Sequence, residues 1–337
     1  MADRRMWVAE MGYRDEWLEQ VVEDVIEPER EIIDPHHHLW VRGGGQYMLE
    51  ELRRDTSDGH NVVGTMYIEC FNQYREDGPE HLRPLGETEY IAPIIEEAAK
   101  DGPPIIGYIG HADLRSPLLD EILDAHLALT PTFRGIRHAG CRDPEPEPLT
   151  IPGRGPEGLY KDEAFLAGVR RLGERGLTYD TWNYHHQIRD IIGVAKAAPE
   201  TSVILDHFGT PLGVGRFEGK RDEIFEIWKD DVAALAECPN VHAKLGGMAM
   251  IDNGYGWHDR AAPPSSNEFV EAQAKWFHHM IACFGPDRCM FESNFPVDRV
   301  SISYRTLWNA FKNVAADYDE PAKQALFHDT AKRVYAV

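Results

Sequence analysis

The residues with the clearest chemical potential form a histidine cluster near the start of the chain. They lie in the segment IIDPHHHLW (residues 32–40), whose apolar beginning is typical of a β-strand. Alternate side chains of a strand share a face, so His36 and His38 point one way while His37 points the other. Two imidazoles about 7 Å apart on one face can bind a single metal ion or a single substrate. The segment therefore predicts a metal or catalytic site at a strand end.

The composition indicates a globular protein with a large core. The chain has 337 residues, of which 42% are hydrophobic and 27% are charged, and this length suits one α/β barrel or two ordinary domains. Its formal net charge of −22 repels the phosphates of nucleic acids and of anionic lipid surfaces. We therefore expect neither a nucleic acid nor a membrane as a partner.

The five cysteines are expected to be reduced thiols of the core. They are scattered, odd in number and include no CxxC pair, which fits neither a disulfide framework nor a zinc site. The N-terminus lacks the basic-then-apolar pattern of a signal peptide, and no window approaches the ~20 apolar residues of a membrane span. A cytoplasmic location is the resulting expectation.

Apolar segments alternate with segments of helical period along the chain. Strands are predicted at 31–38, 62–69, 105–112, 133–138, 177–184, 202–207, 241–247 and 288–294. Helices are predicted near 86–100, 117–128, 161–174, 187–198, 221–237, 266–284, 304–316 and 320–334. Buried strands that are each followed by a helix indicate a parallel sheet covered on both faces. We predict an α/β fold, a single (β/α)8 TIM barrel over residues 30–337, with an open doubly wound sheet as the alternative.

Residues 1–29 are predicted to form a helical extension outside the barrel. An acidic amphipathic stretch near 13–27 has the pattern of an added helix. We expect it to pack under or beside the barrel, or into a partner subunit, which leaves a homo-oligomer open.

Polar side chains gather at the predicted C-terminal ends of the strands, where the active site of a barrel lies. Inside the strands the residues are otherwise Val, Ile, Leu, Met and Gly. The strand ends carry His36, His38, Glu69, His111, Asp113, Arg137, His138, Tyr184, His185, His186, Asp206, His207, Lys244, Glu292, Asn294 and Asp298. The longest connections, 139–160 and 247–265, follow strand ends on the same face and are rich in Pro and Gly, as substrate-covering loops often are. We therefore predict the active site on this face.

Strand alternation also predicts the positions of several neighbours. His37 faces away from the lumen and is expected to be a packed, hydrogen-bonded histidine. Asp206 is expected on the outer face if His207 is inside. Asp34 shares the face of His36 one layer deeper, where it would orient that histidine.

Six motifs, in the order of the barrel strands, resemble the amidohydrolase superfamily of metal-dependent hydrolases. They are IIDPHHHLW, GTMYIEC, FRGIRH, VILDHFGTP, VHAKLGG and RCMFESNFPVD. The branch that they resemble contains 2-pyrone-4,6-dicarboxylate lactonase and the sugar lactonases. The resemblance extends from residue 30 to the C-terminus.

The resemblance implies a metal site. His36 and His38 match the metal-binding pair of the first strand, and His207 matches a further histidine of the barrel. Together they would hold one divalent ion, for which zinc and manganese are the expected identities.

The resemblance also implies residues that bind the substrate. Arg137 and His138 are similar to residues that bind a substrate carboxylate or ring oxygen. Trp40 and His185, next to the predicted mouth, are further candidates for substrate contact. At most one of His185 and His186 can face the mouth.

The last strand departs from the pattern of the superfamily. Where the family has Gly-Ser-Asp-x-Pro, this chain has ESNFP (residues 292–296), so an asparagine, Asn294, replaces the usual metal-binding and water-activating aspartate. An amide cannot act as a base near neutral pH. Glu292, on the same face one layer deeper, is slightly favoured over Asp298 as the replacement. The catalytic candidates are therefore His207, Glu292, Asn294 and Asp298.

Both carboxylates also have structural alternatives. Glu292 would then be a buried ion-pair partner of Arg137 or Lys244. Asp298 would then cap a loop.

We expect a hydrolase that opens a C–O bond of a lactone or ester, or less favourably a C–N bond, in a small carboxylated substrate. His36, His38 and His207 would polarise the carbonyl or hold the metal ion. A carboxylate would take a proton from water, and Arg137 would anchor the substrate carboxylate. A metal ion lowers the pKa of its bound water to about 7, whereas a metal-free site relies on Arg and His to stabilise the oxyanion.

Two other functions remain open. A non-oxidative decarboxylase of an aromatic or unsaturated acid needs no water-activating base, so Asn294 conflicts less with it. An inactive barrel would bind a carboxylated ligand without turning it over.

Overall fold

The strands of this protein form a closed parallel barrel and one small hairpin. A computed structural model describes residues 14–42 and 45–337. The strands in these ranges are β1 (Glu31–His37), β2 (Trp40–Arg42), β3 (Gly45–Tyr47), β4 (Asn61–Ile68), β5 (Ile105–Gly110), β6 (Phe133–Arg137), β7 (Thr178–Thr181), β8 (Val203–Leu205), β9 (Val241–Leu245) and β10 (Cys289–Phe291). β2 and β3 pair antiparallel, and the other eight pair in parallel in chain order.

Hydrogen bonds between the ends of β10 and β1 close the barrel. The backbone N–H of His38 donates to the carbonyl of Phe295 at 2.7 Å, and that of Asn294 donates to the carbonyl of His36 at 3.0 Å. The backbone N–H of Ser293 donates to Oδ1 of Asp34 at 2.9 Å. The fold is therefore the predicted (β/α)8 TIM barrel, and its seam brings the last strand end beside the histidine cluster.

Helices connect the strands and cover the outer face of the barrel. They are α1 (Asp15–Leu18), α2 (Leu49–Thr56), α3 (Leu85–Ala98), α4 (Leu119–Leu129), α5 (Glu163–Glu174), α6 (Ile188–Ala197), α7 (Arg221–Ala236), α8 (Ser266–Phe284), α9 (Tyr304–Val314), α10 (Glu320–Gln324) and α11 (Thr330–Tyr335). Local sequence fixes several of their starts. Before α8, the Ser265 hydroxyl accepts from the N–H of Glu268 at 3.2 Å, and the Glu268 carboxylate accepts from the N–H of Ser265 at 2.9 Å.

Apolar residues fill the space between the sheet and the helices, and a separate cluster lies among the strands. That second cluster contains Ile33, Met66, Ile68, Ile109, Ile204 and Met290, together with Ala331 and Tyr335 of α11. All of these side chains are 3% exposed or less. The polar residues described below therefore meet in a closely packed interior with little access to water.

The eight predicted strands and the eight predicted helices are all present. α2 and the β2–β3 hairpin were not predicted; the three-residue strands of the hairpin are too short to show a periodic pattern. The helix expected near 13–27 is wrong in its length, because within the described residues 14–30 only Asp15–Leu18 is helical. Residues 1–13 of the expected extension lie outside the described residues.

The described part of the N-terminal segment is held against the barrel by polar contacts. The Asn309 side chain of α9 donates to a carboxylate oxygen of Glu23 at 3.1 Å, and Lys312 donates to the carbonyls of Ile26 and Glu27. The five cysteines are free thiols, as expected. In the described ranges, none of the helices combines the length and the apolar character that crossing a membrane requires.

Candidate active site

The three histidines predicted from the sequence meet at the mouth of the barrel. His36 Nε2 lies 3.3 Å from His38 Nε2, and the ring centroids of His36 and His207 are 4.5 Å apart. Burial lowers the pKa of His207 to about 3 and holds the pKa values of His36 and His38 well below the ordinary range. The imidazoles are therefore neutral, which is the form that binds a metal ion.

A local irregularity in β1 determines which of its residues face the histidine cluster. The pairing register between β1 and β4 shifts between Asp34 and His37. As a result Asp34 faces the helices, where the hydroxyl of Tyr304 in α9 donates to its Oδ2 at 3.1 Å. The prediction that Asp34 shares the face of His36 is wrong, because a bulge inserts an extra residue and reverses the alternation. His37 does face outward, and its Nε2 lies 3.0 Å from the Thr65 hydroxyl.

Glu292 links two of the three histidines. Its Oε1 lies 2.6 Å from Nδ1 of His207, and its Oε2 lies 2.8 Å from Nδ1 of His36. Burial raises the pKa of Glu292 to about 8, although Lys244 opposes that effect. A carboxylate in this position contacts Nδ1 of both imidazoles and can orient the two rings.

Two glycines after β9 provide the space for this pair. A Cβ on Gly246 would lie 2.4 Å from Cγ of Glu292, and one on Gly247 would lie 2.5 Å from Nδ1 of His207. Gly247 also has a φ of +68°, a conformation that L side chains rarely adopt. The two glycines of the VHAKLGG motif therefore allow Glu292 and His207 to approach the backbone closely.

Asp206 lies inside the barrel, contrary to the prediction. Its Oδ1 is 3.2 Å from Nζ of Lys244, and its Oδ2 is 3.8 Å from Nη1 of Arg137. The prediction assumed that His207 continues the strand, but β8 ends at Leu205 and His207 has a φ of +54°. Asp206 thus keeps the inward direction of Ile204, and the left-handed turn brings His207 inward as well.

Lys244 provides a buried positive charge beneath the histidines. Its Nζ donates to Oδ2 of Asp180 at 2.8 Å and lies 3.2 Å from Nδ1 of His36. The hydroxyl of Tyr335 also donates to Oδ2 of Asp180, at 2.6 Å. Burial opposes the charge on Lys244, but Asp180 and Asp206 outweigh it and raise its pKa. Asp180 and Tyr335 were not predicted as site residues, although Asp180 is an acidic residue within a predicted buried strand.

Arg137, at the end of β6, is held mainly by Glu69. Its Nε donates to Oε1 of Glu69 at 2.8 Å, and its Nη2 donates to the backbone carbonyl of the same residue. The third nitrogen, Nη1, lies 3.4 Å from Nε2 of His36. The guanidinium thus reaches the histidine cluster with one nitrogen.

The two other candidates at the last strand end bind each other. The Asn294 side chain donates to Oδ1 of Asp298 at 2.9 Å, and the backbone N–H of Ala249 donates to Oδ2 of Asp298 at 3.0 Å. Burial raises the pKa of Asp298 to about 8. These contacts match the structural alternative for Asp298, because they join the loops that follow β9 and β10.

The remaining candidates lie around the cluster. Trp40 stacks on His38 with ring centroids 5.5 Å apart. Nδ1 of His138 accepts from the backbone N–H of Leu114 at 3.2 Å, and Nδ1 of His185 accepts from that of Leu212 at 3.2 Å. His138 also packs against Phe165 of α5, with ring centroids 5.5 Å apart, and the described contacts of His138 and His185 do not include the histidine cluster.

The donor set fits a divalent metal ion. One ligand atom each from His36, Asp206 and His207 lie within 4.8 Å of one another. Oδ1 of Asp206 is paired with Lys244 at 3.2 Å, whereas Oδ2 is buried without a hydrogen bond and would be satisfied by a bound cation. Imidazole and carboxylate donors suit zinc and manganese. This set contains Asp206, which the sequence-based set lacked.

Comparison with known proteins identifies the family. The family described as "Amidohydrolase" matches residues 33–337. The chain is 32% identical over 327 residues to "Uncharacterized protein y4mH" of Sinorhizobium fredii, covering 91% of this chain and 98% of that protein. It is 24% identical over 320 residues to L-fucono-1,5-lactonase of Burkholderia multivorans, covering 90% of this chain and 96% of that protein.

A solved structure shows the same fold. It is an amidohydrolase from Burkholderia multivorans with bound zinc, which is 21% identical, with a TM-score of 0.71, and covers 91% of this chain and 100% of its own. The resemblance of the six sequence motifs is thereby confirmed. The chain belongs to the amidohydrolase family.

Proposed function

We propose that this protein is a metal-dependent hydrolase that opens the ring of a small lactone. The observation that carries the proposal is the buried carboxyl group of Glu292, which lies within 2.8 Å of both His36 and His207 at the barrel mouth. The name of the 24% identical relative, L-fucono-1,5-lactonase, supports a lactone as the substrate.

The metal site of this proposal consists of His36, His38, Asp206 and His207. When bound, a divalent ion would lower the pKa of its water to about 7 and polarise the carbonyl of the substrate. His38 is prepared for this role because its Nδ1 lies 2.8 Å from the carbonyl of Ile68, which fixes the proton on Nδ1 and leaves Nε2 free of it.

Glu292 and Arg137 would carry the remaining chemistry. Oε2 of Glu292, a buried atom without an aligned hydrogen bond, accepts the proton of the attacking water. Nη1 of Arg137 donates to the carbonyl oxygen of the lactone and stabilises the negative charge that forms there during attack. Glu292 then returns its proton to the ring oxygen that leaves.

The proposal is tested by measuring the metal content of the purified protein together with turnover of lactones and aromatic acids. We expect about one equivalent of zinc or manganese per chain and ring opening without gas release. Release of CO2 from an aromatic acid would replace the proposal with the decarboxylase. Binding of ligands without turnover of any of them would favour the inactive barrel.

A further inference from the structure

The last helix of the chain, α11, places a tyrosine among the strands of the barrel. Ala331 and Tyr335 are four residues apart in this helix, so they lie on one face of it. Both belong to the apolar cluster among the strands. Tyr335 is 1% exposed, so its hydroxyl needs a hydrogen-bond partner within the protein. That partner is Asp180 of β7, whose Oδ2 accepts from the hydroxyl at 2.6 Å.

Asp180 connects this hydroxyl to a buried cation. Its Oδ2 also accepts from Nζ of Lys244 at 2.8 Å, so the tyrosine and the lysine share one carboxylate oxygen. The ring of Tyr335 adds a second contact, because Nζ of Lys244 lies 5.5 Å from its centroid. Asp180 and Lys244 are fully buried, so bulk water does not compete for these contacts. Tyr335 and Asp180 therefore hold Lys244 from one side.

Lys244 in turn holds one of the proposed metal ligands. Its Nζ lies 3.2 Å from Oδ1 of Asp206. Oδ2 of Asp206 is buried without a hydrogen bond and is the oxygen that a metal ion would satisfy. The ion pair on Oδ1 thus sets the direction in which Oδ2 points. Partners that orient a metal ligand in this way typically change metal affinity by about 10- to 100-fold.

We propose that Tyr335 is a positioning residue of the metal site, which acts through Asp180 and Lys244 on Asp206. Contacts of 2.6, 2.8 and 3.2 Å join its hydroxyl to the metal ligand without a gap. This role rests on the metal site of the proposed function and not on which bond of the substrate is broken. It makes the C-terminal helix a part of the site as well as of the packing.

The test is the zinc affinity of Tyr335→Phe, measured by competition with a chelator. Phenylalanine keeps the buried ring and removes only the hydroxyl. Oδ2 of Asp180 then has one donor fewer, so Lys244 moves towards it and away from Asp206. We expect zinc affinity to fall by about tenfold, the size of a lost orienting contact. The visible spectrum of the cobalt-substituted protein should change as well, because it reports the geometry of the ligands.

Tyr47→Phe is the matched control. The buried hydroxyl of Tyr47 donates to Oδ2 of Asp55 at 3.1 Å, and Nε of Arg299 donates to the same oxygen at 3.1 Å. This variant therefore also removes a tyrosine hydroxyl from a carboxylate that is paired with a cation, but outside the contacts that lead to Asp206. Its zinc affinity and cobalt spectrum should equal those of the wild type. Unchanged zinc affinity in a folded Tyr335→Phe protein, or an equal loss in Tyr47→Phe, overturns the proposal.

A double-mutant cycle tests the route through the lysine. Lys244→Met removes the ammonium group and keeps a long side chain, so Tyr335→Phe should have no further effect on zinc affinity in that background. Additive losses would overturn the route. None of these measurements depends on turnover. A wild type that binds zinc but opens no lactone refutes only the proposed function, whereas normal zinc affinity of Tyr335→Phe refutes only the positioning role.

Discussion

The two oxygens of the Glu292 carboxyl group lie within 2.8 Å of two histidines, one in β1 and the other just after β8. Since burial raises the pKa of Glu292 to about 8, its protonation state changes within the pH range in which enzymes are assayed. The proposed base is ionised above this pKa and blocked by its own proton below it. Substitution of Glu292 is therefore expected to change both the rate and its dependence on pH.

We predict that Glu292→Gln lowers kcat by at least about a hundredfold, the usual contribution of a general base, without unfolding the protein. In the metal-loaded wild type, activity should rise with pH as Glu292 becomes ionised, because Glu292 accepts a proton only in that form. Steady-state rates from pH 6 to 9 and circular dichroism of both proteins measure these effects. A fully active variant would transfer the role to another group.

The sequence predicted the histidines and Glu292 because their motifs place them at strand ends, where the barrel requires polar residues to converge. It did not predict the inward position of Asp206. That position depends on the left-handed backbone of His207, with a φ of +54°, which strand alternation does not describe. Asp180 was not among the predicted site residues, because a single acidic residue inside a strand shows no periodic pattern.

At the scale of elements, the eight strands and their helices could be predicted because each buries a continuous apolar face. The irregular elements could not be predicted in this way. The bulge in β1 moves Asp34 to the helix side, and no composition rule fixes where an extra residue enters a strand. The glycines after β9 were recognised as a motif, yet their contribution is the close approach of Glu292 and His207 to the backbone.

Gly247→Ala should impair the site, because the added methyl group would lie 2.5 Å from the His207 ring at a φ of +68°. We expect lower zinc affinity, measured by competition with a chelator, and a destabilisation of about 1 kcal/mol or more in urea unfolding. Gly193→Ala is the control, since that Cβ would meet open space within α6. Equal zinc affinity of Gly247→Ala and the wild type would remove this glycine from the site.

The two long loops at the mouth are joined by one buried carboxylate. Asp252 accepts hydrogen bonds from the backbone N–H groups of Thr150 at 2.7 Å and of Ile151 at 3.0 Å. We predict that Asp252→Ala frees the 139–160 loop and increases the rate of limited proteolysis within it by about tenfold. Asp259→Ala, an exposed aspartate of the same 247–265 loop, should leave cleavage unchanged. Equal cleavage of both variants and the wild type would show that other contacts hold the loop.

At the scale of the whole molecule, we propose the division into an N-terminal extension over 1–29 and a barrel over 30–337. The described part of the extension contacts α9 and the loop after β9, where the Trp17 indole donates to the carbonyl of Arg260 at 3.1 Å. It also contacts α10, where Lys323 donates to Oε1 of Glu27 at 3.0 Å. The extension is therefore expected to contribute to stability more than to chemistry.

Burial shifts ionisable groups throughout the molecule, and these shifts determine how stability depends on pH. The affected histidines include some whose pKa is lowered to about 3, namely His37, His138, His185 and His207, and some whose pKa is lowered to about 4, namely His60, His126 and His242. The affected carboxyl groups include Asp34 and Asp206, whose pKa is raised to about 6, Glu87, raised to about 7, and Glu292 and Asp298, raised to about 8. The two sets act in opposite directions.

We predict that the free energy of unfolding of the metal-free protein has its maximum near pH 6.5. A buried histidine stays neutral in the fold while the unfolded chain takes up a proton, so stability is lost as the pH falls below about 6.5. A buried carboxyl keeps a proton that the unfolded chain releases above about pH 4, so stability is lost as the pH rises toward its folded pKa. On the acid side the shifted histidines outnumber the carboxyls, whereas between pH 6.5 and 8 the effect of the carboxyls dominates.

Urea unfolding in the presence of a chelator at pH 5, 6.5 and 8.5 measures this dependence. Asp298→Asn should flatten the alkaline side of the curve, because Asp298 is buried with a pKa of about 8 and an asparagine has no proton to lose there. The same variant should steepen the rise in stability from pH 5 to 6.5, because the opposing effect of Asp298 is removed while the histidines are untouched. Stability that keeps rising from pH 6.5 to 8.5 would show that these carboxyl groups are ionised in the fold.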